Sequence, residues 1–215
     1  MPIYLLSPTP KEGTIHLPMI RFSLLDVVLD FADCDTLMFT SKQAVKSAER
    51  LNPKWKNIPC LAIGQATANA IVDLGGKVIY QPESFYGKTL AGDILTKFKD
   101  RNILYLRPKE VSFDSKAFLE KSGLTLKEQV IYETSCESYE AKYKPLKNAI
   151  IIFTSPSSIH CFLENFEWNE SYTAVVIGTA TKEHLPPNAR YEVADIPLID
   201  SCIDKAKEIL TPNRL

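Results

Sequence analysis

Phe39 and Phe153, Ile63 and Ile177, Gly64 and Gly178, and Thr67 and Thr181 all stand at one separation, 114 residues. A constant offset held across several motifs marks an internal duplication, and it limits the chain to an architecture in which one unit of structure is built twice. Each copy opens with a short run of apolar and β-branched residues that stops at a hydroxyl-rich turn, TLMFTSKQAV at 36–45 and AIIIFTSPSSI at 149–159. Such runs are too short for a free-standing helix and predict strands covered on both faces. The Ser and Thr that follow accept from the first free N–H groups of a helix, so each copy reads as strand, turn and helix start.

Taken in order, Ile3 to Ser7 reads as a first strand bounded by Pro8 and Pro10. The next stretch, PTPKEGTIHLPMIRF, holds prolines and a glycine but no helical period, and Ile15 to Leu25 reads as extended chain. From Leu24 the pattern becomes regular: an amphipathic stretch LLDVVLDFA, a strand at Leu37 to Phe39, a helix QAVKSAERL and a strand at Cys60 to Ile63. The helix ATANAIVDLGG closes at Gly75-Gly76, followed by a strand at Lys77 to Tyr80, a helix at Gly87 to Phe98 and a strand NILYLR ended by Pro108. Phe113 to Ser122 reads as helix up to Gly123, and Leu124 to Thr134 returns as extended chain. In the second copy YTAVVIG at 172–178 answers PCLAIG, and Ile199 to Leu210 answers the helix near Lys88 to Leu95. Strands alternating with helices of this length predict parallel sheets with helices on both sides.

One strand is out of place. NILYLRP, which closes the first copy, matches IYLLSP at the N-terminus with a 100-residue offset (Ile103 and Ile3, Pro108 and Pro8), and the second copy lacks such a strand at its own end. If Ile3 to Ser7 supplies it, residues 1–16 and 138–215 form a discontinuous α/β domain, 26–127 an inserted one, and 17–25 and 128–137 two linker strands that make a natural hinge.

Composition excludes several classes. With 25 Lys and Arg against 26 Asp and Glu there is no global field for nucleic acid, so an anionic ligand must be held by local groups. Cys34, Cys60, Cys136, Cys161 and Cys202 are odd in number and scattered, with no C-x-x-C, and predict neither a disulfide framework nor a metal cage; a reducing cytoplasm is the simpler setting. The N-terminal apolar run is too short for a signal peptide, and no segment approaches a membrane span. G-x-G-x-x-G, P-loop and G-x-S-x-G motifs are lacking, which argues against dinucleotide, nucleoside triphosphate and serine-hydrolase chemistry. His16, His160 and His184 are not in ligand spacing and read as surface or half-buried residues, with His184 near enough to a turn to be noted as a proton donor.

In parallel α/β sheets ligands bind outside the carboxyl ends of the strands, where helix N-termini direct free N–H groups outward. The candidate turns are Thr40-Ser41-Lys42, Gly64-Gln65-Ala66-Thr67, Thr154 to Ser158 (with Ser155, Ser157 and Ser158) and Gly178-Thr179-Ala180-Thr181. All four suit carboxylates received by amides and hydroxyls, although each alone is also an ordinary helix cap. Arg107, Lys109 and Lys42 are candidate partners for carboxylates or plain surface charges, and Tyr132 in VIYET is a ligand group or a packing tyrosine.

The duplicated FTS strand and turn, the IG-x-x-T turn 24 residues later and the Y-E-T crossing together resemble the uroporphyrinogen-III synthase family over nearly the whole chain. The resemblance implies an α/β fold of two flavodoxin-like domains with parallel sheets joined by a two-stranded linker. It also implies a cyclising lyase of haem biosynthesis that turns linear hydroxymethylbilane into uroporphyrinogen III, with loss of water and inversion of ring D, and without metal or other cofactor. Tyr132 corresponds to the family's linker tyrosine, the candidate to assist departure of the hydroxyl. Thr67 and Thr181 correspond to its glycine-turn threonines, and Ser41, Ser155, Ser157 and Ser158 to its hydroxyl-bearing strand ends. The expected partners are that substrate and, transiently, the preceding pathway enzyme; the protein is expected to be a cytoplasmic monomer that binds neither nucleic acid nor membrane.

Two departures concern the discontinuous domain. Pro8 to Ile20 is too short and proline-rich for the helix usual after the first strand, and Pro186-Pro187 should cut the helix after Gly178 to little more than one turn. The rival readings are a two-lobed, non-catalytic binding module for a small anionic ligand and a flavin-binding flavodoxin-like domain.

Overall fold

The computed structural model describes residues 1–84 and 86–211. The chain divides into two compact units, Met1–Arg21 with Ser135–Leu215, and Phe22–Thr134. Residues 212–215 of the expected discontinuous domain lie outside the described residues.

In chain order the strands and helices are β1 (Ile3–Leu5), β2 (Ile15–His16), β3 (Ile20–Leu24), β4 (Thr36–Phe39), α1 (Lys42–Leu51), β5 (Pro59–Ala62), α2 (Gln65–Asp73), β6 (Lys77–Tyr80), α3 (Gly87–Lys97), β7 (Ile103–Pro108), α4 (Ser115–Glu120), β8 (Lys127–Cys136), β9 (Ile150–Phe153), α5 (Pro156–Asn165), β10 (Thr173–Val176), α6 (Thr179–Lys182), β11 (Arg190–Val193) and α7 (Ile199–Leu210). One sheet has the order β3-β8-β7-β4-β5-β6 and is mostly parallel, and the other has the order β11-β10-β9-β1-β2 and is parallel throughout. This is the expected α/β class with parallel sheets. The first strand pairs with β9 in register Ile3↔Ile150, as β7 pairs with β4 in register Thr36↔Ile103.

The unbroken apolar runs are explained by burial of both faces. Along β4, Leu37 and Phe39 enter one core with Leu104 and Leu106 of β7, while Met38 enters another with Ile103 and Tyr105. Along β9, Ile151 and Phe153 face one core and Ile150 and Ile152 the other. The expected glycine stop of α2 is a Schellman end: Gly75 takes φ 87°, its N–H donates to the Val72 carbonyl, and the Gly76 N–H donates to that of Ile71.

Other expectations are revised. The amphipathic stretch LLDVVLDFA forms no helix; Leu29 is buried and Val27 and Phe31 pack against the same core, but Val28 is exposed, so the segment holds on by alternate side chains. A 3₁₀ turn at Pro53–Asn57 buries Trp55; β2 falls within the stretch read as extended, and β11 is a further strand that the apolar pattern does not announce, since it is largely exposed. As expected, no helix follows β1, and α6 has only four residues.

The cysteine expectation is corrected outright. Cys136, the last residue of β8, forms a disulfide with Cys161 of α5, with Cα atoms 5.2 Å apart. Spacing alone could not show this, because the strand and helix meet only through packing on the core that holds Phe162 and Trp168. Asn165 reinforces the same joint: its amide donates to the carbonyls of Glu137 and Cys161, and its Oδ1 accepts from the Tyr139 N–H.

Candidate functional site

In the unit Phe22–Thr134 the site grows from the end of β4. Thr40 and Ser41 are consecutive, and each meets a buried tyrosine of the same sheet. The Thr40 hydroxyl lies 2.7 Å from that of Tyr105 on β7, and the Ser41 hydroxyl 2.8 Å from that of Tyr132 on β8. Sheet order makes this possible, since β7 lies beside β4 and β8 beside β7. Ser41 is also the N-cap of α1 and accepts from the Ala44 N–H at 3.0 Å. The Tyr132 ring is 4% exposed and held edge-on by Phe22, with centroids 5.8 Å apart.

Burial pushes the Tyr132 phenol above the ordinary tyrosine range, and the hydrogen bond to Ser41 only partly opposes it. Burial does the same to Tyr105, against the hydrogen bond to Thr40 and the nearby Arg107 charge. Both phenols are therefore protonated at neutral pH and able to donate.

The helix starts of this unit leave positive ends open. No acidic residue stands in the first turn of α1 or α2, where the helix dipole favours one, and α1 instead begins with the exposed Lys42. Gly64 caps α2 without a side chain, Gln65 is exposed with its amide on Asn69 at 2.7 Å, and Thr67 is 4% exposed. Arg107 is differently placed from a free cation. Its guanidinium donates to Glu128 at 3.0 Å and to the Pro108 and Lys109 carbonyls, bracing β7 against β8. Lys109 pairs with Glu133 at 3.2 Å in solvent.

In the other unit, Ser155 and Ser158 form a reciprocal capping box at the start of α5, and Ser158 is fully buried, so both hydroxyls are engaged by backbone. Ser157 and Thr179 are exposed, Gly178 caps α6 with open space where a Cβ would stand, and Thr181 is buried. Neither α5 nor α6 has an acidic residue in its first turn. His160 and His184, exposed as expected, meet each other: Nε2 of the first lies 2.9 Å from Nδ1 of the second. His16 instead contacts the Ser7 carbonyl at 2.9 Å. Among the described residues no group of three or more His, Cys, Asp or Glu could hold a metal ion, and no helix is long and apolar enough to cross a membrane.

Sequence reasoning missed Tyr105 and the histidine pair. No local signal marked Tyr105, which stands mid-strand in β7 and whose partner Thr40 is 65 residues away.

The family model described as uroporphyrinogen-III synthase HemD matches residues 12–204. The chain belongs to this family. The uroporphyrinogen-III synthases are cyclising lyases of haem biosynthesis. Among curated relatives, a porphyrin biosynthesis protein HemD from Ruminiclostridium josui is 30% identical over 190 residues, 80% of this chain and 38% of that protein. The chain thus spans well under half the length of that relative. A uroporphyrinogen-III synthase from Synechococcus elongatus is 24% identical over 190 residues, covering 80% of this chain and 71% of its own length. The crystal structure of uroporphyrinogen-III synthetase from Helicobacter pylori superposes with a TM-score of 0.78 at 28% identity, covering 97% of this chain and 99% of that one. A Thermus thermophilus uroporphyrinogen III synthase mutant, at 12% identity, shares the fold with a TM-score of 0.58.

Proposed function

We propose that this chain catalyses the ring closure of hydroxymethylbilane to uroporphyrinogen III, with inversion of ring D and loss of water. Family membership carries this reading, and the protonated Tyr132 beside Ser41 supports it chemically.

Tyr132 donates its proton to the departing hydroxyl as the C–O bond breaks, leaving an electrophilic methylene and water. Ring D attacks through its substituted carbon to give a spiro intermediate; fragmentation and reclosure reverse the ring, and the proton lost from its free α-carbon restores the phenol. A phenol is a weak acid at neutral pH, so most of the rate comes from holding one reactive conformation. Linear hydroxymethylbilane closes by itself without inversion, and imposing the inverted closure is the enzyme's task.

In this reading Thr40, Ser41, Lys42, Gly64 and Gln65 receive substrate carboxylates in one unit, and the exposed Ser157 and Thr179 with the Gly178 turn do so in the other, while the buried Thr67, Ser158 and Thr181 and the capping Ser155 hold those turns in shape. Helix N-termini and hydroxyls replace a basic surface, consistent with a formal net charge of −1. Arg107 contributes by bracing the strands that carry Tyr105 and Tyr132. Residues 17–25 and 128–137 serve as the linker between a discontinuous domain (1–16 and 138–215) and an inserted one (26–127). The protein works as a monomer that meets the preceding pathway enzyme transiently.

The deciding experiment incubates the protein with freshly generated hydroxymethylbilane and separates the uroporphyrinogen isomers after oxidation. Isomer III should predominate. Isomer I alone, at the spontaneous rate, would overturn the proposal and favour a binding module.

A further inference from the structure

Beside Thr40 lies a cavity of about 160 Å³ whose described lining residues all belong to the unit Phe22–Thr134, among them Thr40, Ser41, Tyr105, Ile63, Phe113 and Glu110. We infer that it is a subsite for a single pyrrole ring, with the Glu110 carboxylate as acceptor of the ring N–H. This assignment rests on the reading above and says how one part of the substrate is held.

Size sets the first limit. At ~30 Å³ per water the space equals roughly five waters, below the ~300–1,000 Å³ of pockets that enclose a whole small molecule. One five-membered ring fits such a space, whereas a linear tetrapyrrole does not.

Charge separates a ring from a carboxylate arm. Among the described residues no Lys, Arg or His lines the cavity, and its one carboxylic acid there, Glu110, is exposed just after the β7 end. A carboxylate arm would meet a like charge there, and the nearby Arg107 is already paired with Glu128. A pyrrole is a donor without a formal charge, and a carboxylate acceptor suits it: a hydrogen bond to an ionised group is about twice as strong as one between neutral groups. The walls also suit a flat ring, with Ile63 and Phe113 offering apolar contact and the Thr40 and Tyr105 hydroxyls offering polar edges.

Gly87 helps to shape the wall. A Cβ at that position would come within 3.0 Å of the Phe113 Cβ, so glycine lets α3 approach Phe113 closely. Tyr105, buried and bonded to Thr40, is a positioning residue that fixes the Thr40 hydroxyl at the cavity edge. Ser41 belongs to the same wall and bonds Tyr132, so a ring seated here lies one side chain from the candidate acid.

The test uses the full chain and small probes followed by amide chemical shifts of the unit. 3,4-Dimethylpyrrole should shift Thr40, Ser41 and Phe113, N-methylpyrrole and propionate should not, and Glu110→Gln should weaken the pyrrole response severalfold. With hydroxymethylbilane, Glu110→Gln should raise KM about tenfold, the loss of one charge-assisted hydrogen bond, and lower kcat much less. Shifts with propionate and not with pyrrole would make the cavity a carboxylate pocket and overturn the inference, as would equal shifts with the N-methyl compound or none at all. Isomer I alone from the native protein would defeat the functional reading, while the pyrrole response would still report on the cavity.

Discussion

The hydroxyl of Tyr132 lies 2.8 Å from that of Ser41, which stands 91 residues earlier in the chain. Removing only the phenolic oxygen isolates what that pair does. Tyr132→Phe keeps the ring against Phe22 and should cost about 1 kcal/mol of stability, the net worth of one hydrogen bond. Isomer III formation should fall about 10- to 100-fold, around the low end of general-acid contributions. An unchanged rate of isomer III production would remove Tyr132 from the mechanism.

The same phenol has a consequence at high pH. Its folded pKa is raised above the unfolded value of about 10, so the folded state holds the proton more tightly. That stabilisation is complete below pH ~10 and is lost as pH climbs through the folded value. Urea unfolding between pH 9 and 11.5 should show native stability falling more steeply than that of Tyr132→Phe. Parallel curves would mean that the phenol titrates normally.

Arg107 is expected to behave as a brace. Its ion pair with Glu128 is shielded, with side chains 17% and 14% exposed, so Arg107→Ala should cost about 2–3 kcal/mol by stranding the carboxylate. KM should change little. A large rise in KM with unchanged stability, measured by steady-state kinetics and denaturant midpoint, would make it a substrate ligand instead.

Gly76 has no room for a side chain. A Cβ there would run into the Trp55 ring and lie 2.9 Å from the Ile71 Cγ2. Gly76→Ala should therefore destabilise the unit by about 1–3 kcal/mol, the usual cost of overpacking, visible as a lower denaturation midpoint. A midpoint equal to the native one would show that Trp55 moves aside freely.

The Cys136–Cys161 disulfide closes a loop with a sequence separation of 25. By chain entropy such a link contributes about 3 kcal/mol, and Cys136→Ser should lose that amount under oxidising conditions. The joint should survive, because Asn165 still bridges Glu137, Tyr139 and Cys161. With excess dithiothreitol the native protein and the variant should melt together; a persistent gap would place the variant's defect elsewhere.

Element type was legible because it is written locally. The apolar runs of β4 and β9, the hydroxyl turns behind them and the Gly75-Gly76 stop act within about ten residues, where propensity and capping decide. The repeat made a doubled α/β fold readable, and the match of Ile3 to Ile103 anticipated which strand β1 would pair beside. The amphipathic stretch LLDVVLDFA is held only by burial of alternate side chains, which its local pattern does not distinguish from a helix.

What the residues of the site do to one another was decided by tertiary structure. Whether Ser41 caps a helix, holds a tyrosine or both depends on β8 lying next to β7 and β7 next to β4. The same holds for Thr40 with Tyr105, His160 with His184, and Cys136 with Cys161, pairs separated by 65, 24 and 25 residues. Strand order and helix packing set those meetings, and both arise from burying apolar faces over the whole unit, a global optimum that no short window of sequence contains. The sequence by itself determined which segments become strands, turns and helices; the packed fold determined which hydroxyl faces which phenol.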